Sequence, residues 1–182
     1  LSVGTPVPAY SFPLSSDPGW LRDGDWAYGI PLGNGGDPNA GFTGANVFGY
    51  NLAGQYPAEL PGQHLTMLPF NCTGLNRVTL EFRRWLGVEA GSFDNASIEA
   101  SVDGVNWTTV WRHTGNDLQE TAWSLQSYNI GAIADGAPFV QVRWTMGPTD
   151  ANTQFSGWNL DDIVIKAIGT PPANQPPLAE AV

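Results

Sequence analysis

The feature that most constrains the fold is a set of short segments in which apolar and polar residues alternate between clusters of turn-forming residues. The clearest of these segments are 78–86, 96–102, 107–111, 139–146 and 160–167. Alternation with a period of two is typical of β-strands that bury one face, and no stretch keeps the apolar spacing of a helix over three turns. The sequence therefore predicts an all-β protein, a β-sandwich of two antiparallel sheets.

Glycine and proline mark the expected domain boundaries. We expect an N-terminal linker over residues 1–9, one sandwich domain over 10–168 and a proline-rich linker to a further domain over 169–182. A chain of 182 residues with 42% apolar residues suits a single core. The glycine-rich segment 31–44 predicts a long surface loop. Because the chain begins at Leu1 without a basic and apolar leader, we expect it to be a piece of a larger protein.

Charge and cysteine content limit the partners. The formal net charge is −10, which argues against nucleic acid, anionic membrane surfaces and other polyanions as main partners, because long-range repulsion opposes each encounter. The sequence has no run of eighteen apolar residues, so it does not predict a membrane-spanning helix. The single cysteine, Cys72, cannot form an internal disulfide. Calcium, neutral glycans and other proteins remain as partners.

The sequence offers no recognisable catalytic group. His64 and His113 are each the only histidine in their region, and no nucleophile-elbow motif occurs. Glu81 and Glu99 could form a carboxylate pair of the kind that hydrolyses glycosides, but charge pairs on a sheet surface are the usual interpretation of such residues. We predict that the chain is not an enzyme and has no catalytic residues.

The last predicted strand contains two adjacent carboxylates, Asp161 and Asp162. Neighbouring side chains of a strand point to opposite faces, so Asp161 is expected to share a face with Ile163 and Asp162 with Leu160. At least one carboxylate then lies where apolar residues lie, which is costly unless a cation or several hydrogen-bond donors meet it. This argument favours Asp161 and makes a bound cation a candidate.

Three further carboxylates lie in loops that antiparallel strands would bring to one end of the sandwich. Glu89 and Asp94 flank one loop, and Asp150 lies in the loop before the last strand. With Asp161 and Asp162 they form an oxygen-ligand set that suits calcium, so we predict a structural Ca²⁺ ion. The alternative is a set of solvated loop charges, together with an aspartate bonded to turn amides.

Four residues are candidates for ligand binding on an outer sheet face. Alternation places Arg83 and Trp85 outside their strand, and Glu99 and Arg143 outside theirs. If these strands are neighbours, the four side chains share one surface, where an indole can stack on a sugar ring while charged groups bond its hydroxyls. The alternative is that Trp85 packs under a loop and contacts an arginine through a cation–π interaction.

Several segments resemble the jelly-roll domains of bacterial MAM-like type. The resemblance is carried by Phe-Asp-Asn-Ala-Ser-Ile-Glu-Ala-Ser-Val-Asp-Gly-Val-Asn-Trp-Thr-Thr-Val-Trp at 93–111, and by segments 46–57, 85–89, 142–144 and 157–163. It covers roughly residues 10–167. It implies a jelly-roll sandwich that serves as a non-catalytic module of large secreted bacterial proteins, including peptidases of the immune inhibitor A type.

The resemblance also extends to the metal and to the tail. Jelly-roll carbohydrate-binding modules tend to place a calcium-ligating aspartate early in the last strand, a position that resembles Asp161 better than Asp162. Segment 174–179 is similar to the lead-in to a polycystic-kidney-disease-type immunoglobulin-like domain. The paired cysteines of animal MAM domains are absent here. Fold resemblance does not transmit the choice of ligand.

We therefore predict a calcium-stabilised accessory module, secreted or at the cell surface, that binds a polysaccharide or a glycoprotein glycan and contacts other domains of the same chain. The alternative is a structural or protein-interaction module of a secreted peptidase or adhesin that has no glycan ligand. A binder and a purely structural module differ in whether substitutions on one outer face abolish glycan affinity without unfolding the domain.

Overall fold

The computed structural model describes residues 4–173, and its strands form two antiparallel sheets that pack face to face. The strands are β1 (Val7–Phe12), β2 (Leu21–Arg22), β3 (Ala27–Gly29), β4 (Val47–Tyr50), β5 (Gln63–Thr66), β6 (Asn76–Val88), β7 (Ala96–Ser101), β8 (Thr108–Arg112), β9 (Leu118–Gln119), β10 (Ser124–Asn129), β11 (Gln141–Met146) and β12 (Gly157–Ile168), and one short helix is α1 (Gly131–Ala134). The predicted all-β jelly-roll sandwich is confirmed. None of the helices in residues 4–173 has the length and apolar character needed to cross a membrane.

The two sheets divide the strands in an order that does not follow the chain. A seven-stranded sheet has the order β10-β6-β12-β4-β3, with β1 also paired to β12 and β9 to β6. A five-stranded sheet has the order β2-β5-β11-β7-β8. The Asp103-Gly104 turn joins the antiparallel pair β7 and β8, as expected for a hairpin signal. Strands β6 and β7 follow each other in the chain but belong to different sheets.

The core lies between the sheets and is rich in aromatic residues. Trp20 stacks between Phe48 and Trp144, with ring centroids 5.2 Å and 5.9 Å away. In β6 the alternation places Val78, Leu80, Phe82 and Leu86 in the core, as predicted. Arg84 also points inward, and its Nη2 lies 2.8 Å from Glu120 Oε1, so this buried charge is paired.

A β-bulge interrupts the last strand at the two adjacent aspartates. Asp161 is opposite Arg83 and Val164 is opposite Glu81, so β12 contains one residue more than β6 over this step. Asp162 takes up the difference with φ of 48°. Leu160 before the bulge and Ile163 after it both face the core. The expectation that Asp161 shares a face with Ile163 is therefore wrong, because the bulge shifts the alternation by one.

The chain termini differ in how they relate to the expected linkers. Strand β1 begins at Val7 and pairs with Ala167 of β12, so residues 7–9 of the expected N-terminal linker lie in the sheet. The backbone of Pro8 pairs at a sheet edge, where a missing N–H is tolerated. Most of the expected C-terminal linker, including the segment similar to a lead-in to another domain, lies outside the described residues. The division into domains stays a prediction.

Candidate functional site

A polar groove runs across the outer face of the five-stranded sheet. One cross-strand row of this face contains His64 of β5, Thr145 of β11, Ser97 of β7 and Arg112 of β8. The next row contains Arg143, Glu99 and Thr109. These side chains line a cavity of about 230 Å³ that Gly62, Asn95, Gly147 and Pro148 close at one end. Each residue of these two rows has a hydrogen-bonding side chain, because alternation directs the apolar residues of these strands into the core.

The centre of the groove is a fixed pair of opposite charges. The Arg143 Nε–H donates to Glu99 Oε2 over 2.5 Å, and the guanidinium carbon lies 4.1 Å from the ring centroid of Trp107. The side chains of Arg143 and Glu99 are 20% and 21% exposed, so each is held by its neighbours and still reaches solvent. Stacking and pairing together restrict the arginine rotamer, which lowers the entropy that a ligand must remove.

His64 and Arg112 lie on either side of this pair. His64 Nδ1 is 2.9 Å from Thr145 Oγ1. Burial lowers the pKa of His64, and the positive charge of Arg143 lowers it further, so the imidazole is neutral at pH 7. Arg112 is exposed, and among residues 4–173 no carboxylate lies within 4.0 Å of its guanidinium. The groove thus has both neutral and charged donors.

The four ligand-binding candidates named from the sequence do not share a surface. Glu99 and Arg143 are in the groove, whereas Arg83 and Trp85 belong to β6 of the opposite sheet. The expectation of one shared face is wrong because consecutive strands β6 and β7 lie in different sheets. Sequence reasoning missed Arg112 and the His64–Thr145 pair, whose only signal was their outward position in alternating segments.

Arg83 and Trp85 lie beneath the glycine-rich loop 31–46, which we call the covering loop. The Trp85 Nε1–H donates to the Gly36 carbonyl over 2.8 Å. The Arg83 guanidinium carbon lies 3.9 Å from the Phe42 ring centroid. This arrangement matches one part of the alternative interpretation, in which Trp85 packs under a loop, but the cation–π contact of Arg83 is with Phe42 and not with Trp85. A role of Arg83 and Trp85 in ligand binding stays a prediction.

The covering loop also encloses Asp161. The Thr43 N–H donates to Asp161 Oδ2 over 2.9 Å, and the Asp162 N–H donates to Asp161 Oδ1 over 2.8 Å. Asp161 is 0% exposed, and burial raises its pKa to about 6. A Cβ at Gly41 would lie 2.7 Å from Asp161 Oδ2, so the loop can approach this closely only with glycine. The hydrogen bonds that the buried Asp161 carboxylate requires therefore come from backbone amides.

A second buried polar pair under the covering loop was not foreseen from the sequence. The Asn159 Nδ2–H donates to Asp37 Oδ1 over 2.7 Å, while Asp37 Oδ2 and Asn159 Oδ1 have no hydrogen-bond partner within residues 4–173. Burial raises the pKa of Asp37 to about 7, although the bond from Asn159 opposes the shift. The outward position of Asn159, two residues before Asp161, was the only sequence signal for this pair.

The metal candidates separate into two places. Glu89, Asp94 and Asp150 offer carboxylate oxygens that all lie within 4.8 Å of one another. The Asp150 N–H donates to Asp94 Oδ1 over 2.8 Å, and the Tyr56 hydroxyl donates to Asp94 Oδ2 over 2.6 Å. Burial and the charges of Asp150, Asp94 and Asp117 raise the pKa of Glu89. Asp161 and Asp162 are not part of this cluster, because the bulge places them under the covering loop.

Sequence comparison finds one curated relative and no matching family model. Bacillopeptidase F of Bacillus subtilis (strain 168) is 26% identical to this chain over 151 residues. The match covers 81% of this chain and 10% of the relative, so the chain spans about a tenth of that protein's length.

Two solved structures show that the fold is shared with binding domains. The K1 cleaved adhesin domain of Lys-gingipain from Porphyromonas gingivalis W83 superposes with a TM-score of 0.52 at 14% identity, over 91% of this chain and all of that domain. A structure of promiscuous carbohydrate-binding modules from the β-sandwich superfamily superposes with a TM-score of 0.52 at 13% identity, over 87% of this chain and 61% of that chain. At these identities the comparisons establish the fold alone.

Proposed function

We propose that this domain is a non-catalytic module that binds carbohydrate in the groove of the five-stranded sheet. The observation that carries the proposal is the Arg143–Glu99 pair, which is held under Trp107 and lined on both sides by hydrogen-bonding side chains. Such an arrangement supplies a fixed donor next to a fixed acceptor. Neighbouring hydroxyls of a sugar ring can each donate and accept, so they match this pair.

The rest of the groove suits a neutral, hydroxyl-rich ligand in the same way. Ser97, Thr109 and Thr145 have hydroxyl groups that donate or accept as required, and neutral His64 has one ring nitrogen outside its contact with Thr145. Trp107 packs against Arg143 and holds the charged pair in place. The shared fold with carbohydrate-binding modules supports this proposal, and the position of the ligand rests on the groove itself.

The second candidate is a structural or protein-interaction module of a larger peptidase or adhesin. It is favoured by two observations, the match to a tenth of Bacillopeptidase F and the fold shared with an adhesin domain of Lys-gingipain. Under either candidate we propose a module of a larger protein that acts outside the cell or at its surface. The resemblance to MAM-like domains remains part of this proposal.

We further propose that a calcium ion stabilises the domain. Glu89, Asp94 and Asp150 fit calcium, because three carboxylates converge and Glu89 Oε2 is buried without a hydrogen-bond partner within residues 4–173. Asp161 is the second candidate ligand, since the covering loop surrounds its carboxylate with the Thr43 and Asn46 carbonyl oxygens near Gly41. At either site the ion would connect neighbouring loops and offset the repulsion between carboxylates.

A glycan array with the purified chain, in calcium and in chelator, tests the binding proposal. We expect hits that Arg143→Ala abolishes and that the control Arg83→Ala retains, because Arg83 lies on the opposite sheet. Both variants should keep the wild-type melting temperature within a few degrees. Hits that survive Arg143→Ala and disappear with Arg83→Ala or Trp85→Ala would move the site to the seven-stranded sheet. A blank array from folded protein would favour the structural module.

Thermal unfolding of Glu89→Gln and Asp161→Asn locates the calcium ion. In calcium at about 100 times its dissociation constant, the wild type should gain about 2.7 kcal/mol over the chelated protein. If Glu89 is a ligand, Glu89→Gln removes most of this gain, and in chelator the variant is at least as stable as the wild type because a like charge is gone. Loss of the gain in Asp161→Asn alone would place the ion under the covering loop. Equal melting of the wild type in calcium and chelator would contradict a stabilising ion.

A further inference from the structure

The basic residues of the chain are few, and their surroundings differ. Of the seven lysines and arginines, four form ion pairs in the described part of the chain: Arg22, Arg84, Arg143 and Lys166. Arg83 packs on Phe42, and Arg77 donates to the Gly4 carbonyl. Arg112 has neither a carboxylate nor a hydrogen-bond acceptor as partner within residues 4–173. This exposed charge lines the groove.

Arg143 also has donors left over. Its Nε–H is bonded to Glu99, but no acceptor within residues 4–173 bonds its two terminal nitrogens. Trp107 fixes the plane of the guanidinium, so these N–H groups keep one orientation. Ser97 is opposite Arg112, and Glu99, opposite Arg143, lies two residues further along β7 on the same face. Two guanidinium groups therefore flank one short stretch of the groove.

The charge of the groove is opposite in sign to that of the whole molecule. Two guanidinium groups and the Glu99 carboxylate leave one positive charge among the lining residues, while the chain has a formal net charge of −10. A neutral sugar would leave the Arg112 charge without a partner.

We infer that the groove recognises a sugar that bears a carboxylate, such as a uronic acid, within an otherwise neutral glycan. This inference rests on the proposed function. The planar guanidinium of Arg112 matches a carboxylate with two parallel hydrogen bonds, and the terminal nitrogens of Arg143 can add a third. The negative charge of the rest of the molecule repels a polyanion, so an isolated acidic sugar fits better than a chain of them.

The test uses a set of neutral oligosaccharides, each paired with the same oligosaccharide carrying one glucuronic acid. Titration calorimetry should show about tenfold tighter binding of the acidic member, as expected for a charge-assisted bidentate contact. Arg112→Gln should remove this difference, so that the acidic member binds no more tightly than the neutral one. Arg112→Lys keeps the positive charge but loses the planar guanidinium, so it should retain part of the preference for the acidic member. Arg77→Gln is the control, since Arg77 also has no carboxylate partner within residues 4–173 and lies outside the groove.

The outcomes separate this inference from the proposed function. Neutral members that bind as tightly as acidic ones, with no effect of Arg112→Gln, would overturn the acidic-sugar inference and leave the carbohydrate module intact. If Arg77→Gln also removes the preference for the acidic member, the preference is a general charge effect. That result would also overturn the acidic-sugar inference. Absence of binding to every pair by a folded protein would contradict both. Since Arg112 is exposed, its variants should melt with the wild type.

Discussion

The outer faces of the two sheets are built from similar alternating strands, yet one is open and the other is covered. On the five-stranded sheet, Arg143 and Glu99 meet each other at the surface of a groove. On the seven-stranded sheet, Asn159 and Asp161 are fully buried, because the covering loop lies over them. Polar side chains at outward strand positions thus line an open groove on one face and lie inside the protein on the other.

The comparison shows that a covering loop changes the energetic role of a polar residue. An exposed charge pair exchanges one set of hydrogen bonds for water at little cost. A buried carboxylate must be satisfied within the protein, and the amides that satisfy it depend on it in return. If this difference is real, substitutions on the covered face should change stability and substitutions on the open face should change ligand affinity.

The largest expected effect is the loss of the Asp161 carboxylate. Asp161→Ala removes a fully buried carboxylate and leaves the Thr43 and Asp162 amides without their acceptor, and we expect a loss of about 3 kcal/mol in the free energy of unfolding. Glu99→Ala on the open face should cost less than about 1 kcal/mol. Urea unfolding of both variants in chelator measures the two values. Equal losses would mean that the covered face is no more dependent on its carboxylate than the open one.

The second effect is a pH dependence that belongs to the covered face. Folding raises the pKa of Asp37 from 3.8 to about 7, so the folded protein binds this proton more tightly than the unfolded chain does. The resulting stability is fully present below about pH 4 and is lost as the pH rises through about 7. We expect the wild type to lose about 2 kcal/mol more than Asp37→Asn between pH 4 and pH 6, with a further loss up to pH 8.

Urea unfolding of the wild type and Asp37→Asn across this pH range, in chelator, tests the effect. Other groups that titrate in the same range are present in both proteins, so they cancel in the difference. Stability curves that run parallel from pH 4 to pH 8 would show that Asp37 does not titrate with the shifted pKa.

A smaller effect concerns the indole that lies under the covering loop. Trp85→Phe retains an aromatic ring beside Trp123 but removes the hydrogen bond to the Gly36 carbonyl. We expect a loss of about 1 kcal/mol in stability. Glycan affinity should not change, because the groove lies on the other sheet. Calorimetry that shows weaker glycan binding by Trp85→Phe would place a ligand on the covered face after all.

The smallest effect on stability is expected from the indole of the open face. Trp107→Ala removes the cation–π contact that orients Arg143, which should cost about 0.5–1 kcal/mol. Glycan affinity should nevertheless fall several-fold, because Arg143 then has to be ordered by the ligand. Parallel melting and calorimetry measure the two quantities. A variant that loses stability but keeps its affinity would show that Trp107 only packs.

The prediction from sequence held where it depended on neighbouring residues in a strand without a bulge. Alternation identified the core face of β6 and placed Glu99 and Arg143 outside, and the Asp103-Gly104 pair marked the hairpin of β7 and β8. It did not identify Arg84 as an inward residue, because the buried partner Glu120 lies 36 residues away.

The sequence by itself determined the all-β class, the inward and outward residues of the clearest regular strands, and the acidic, turn-rich loops. Only the tertiary structure decided that β6 and β7 join different sheets, that Asp161 points outward before a bulge, and that the covering loop lies over Trp85. The physical reason is the range of the interactions. Alternation follows from local backbone geometry, whereas sheet membership, bulges and loop cover follow from hydrogen bonds and contacts between distant parts of the chain.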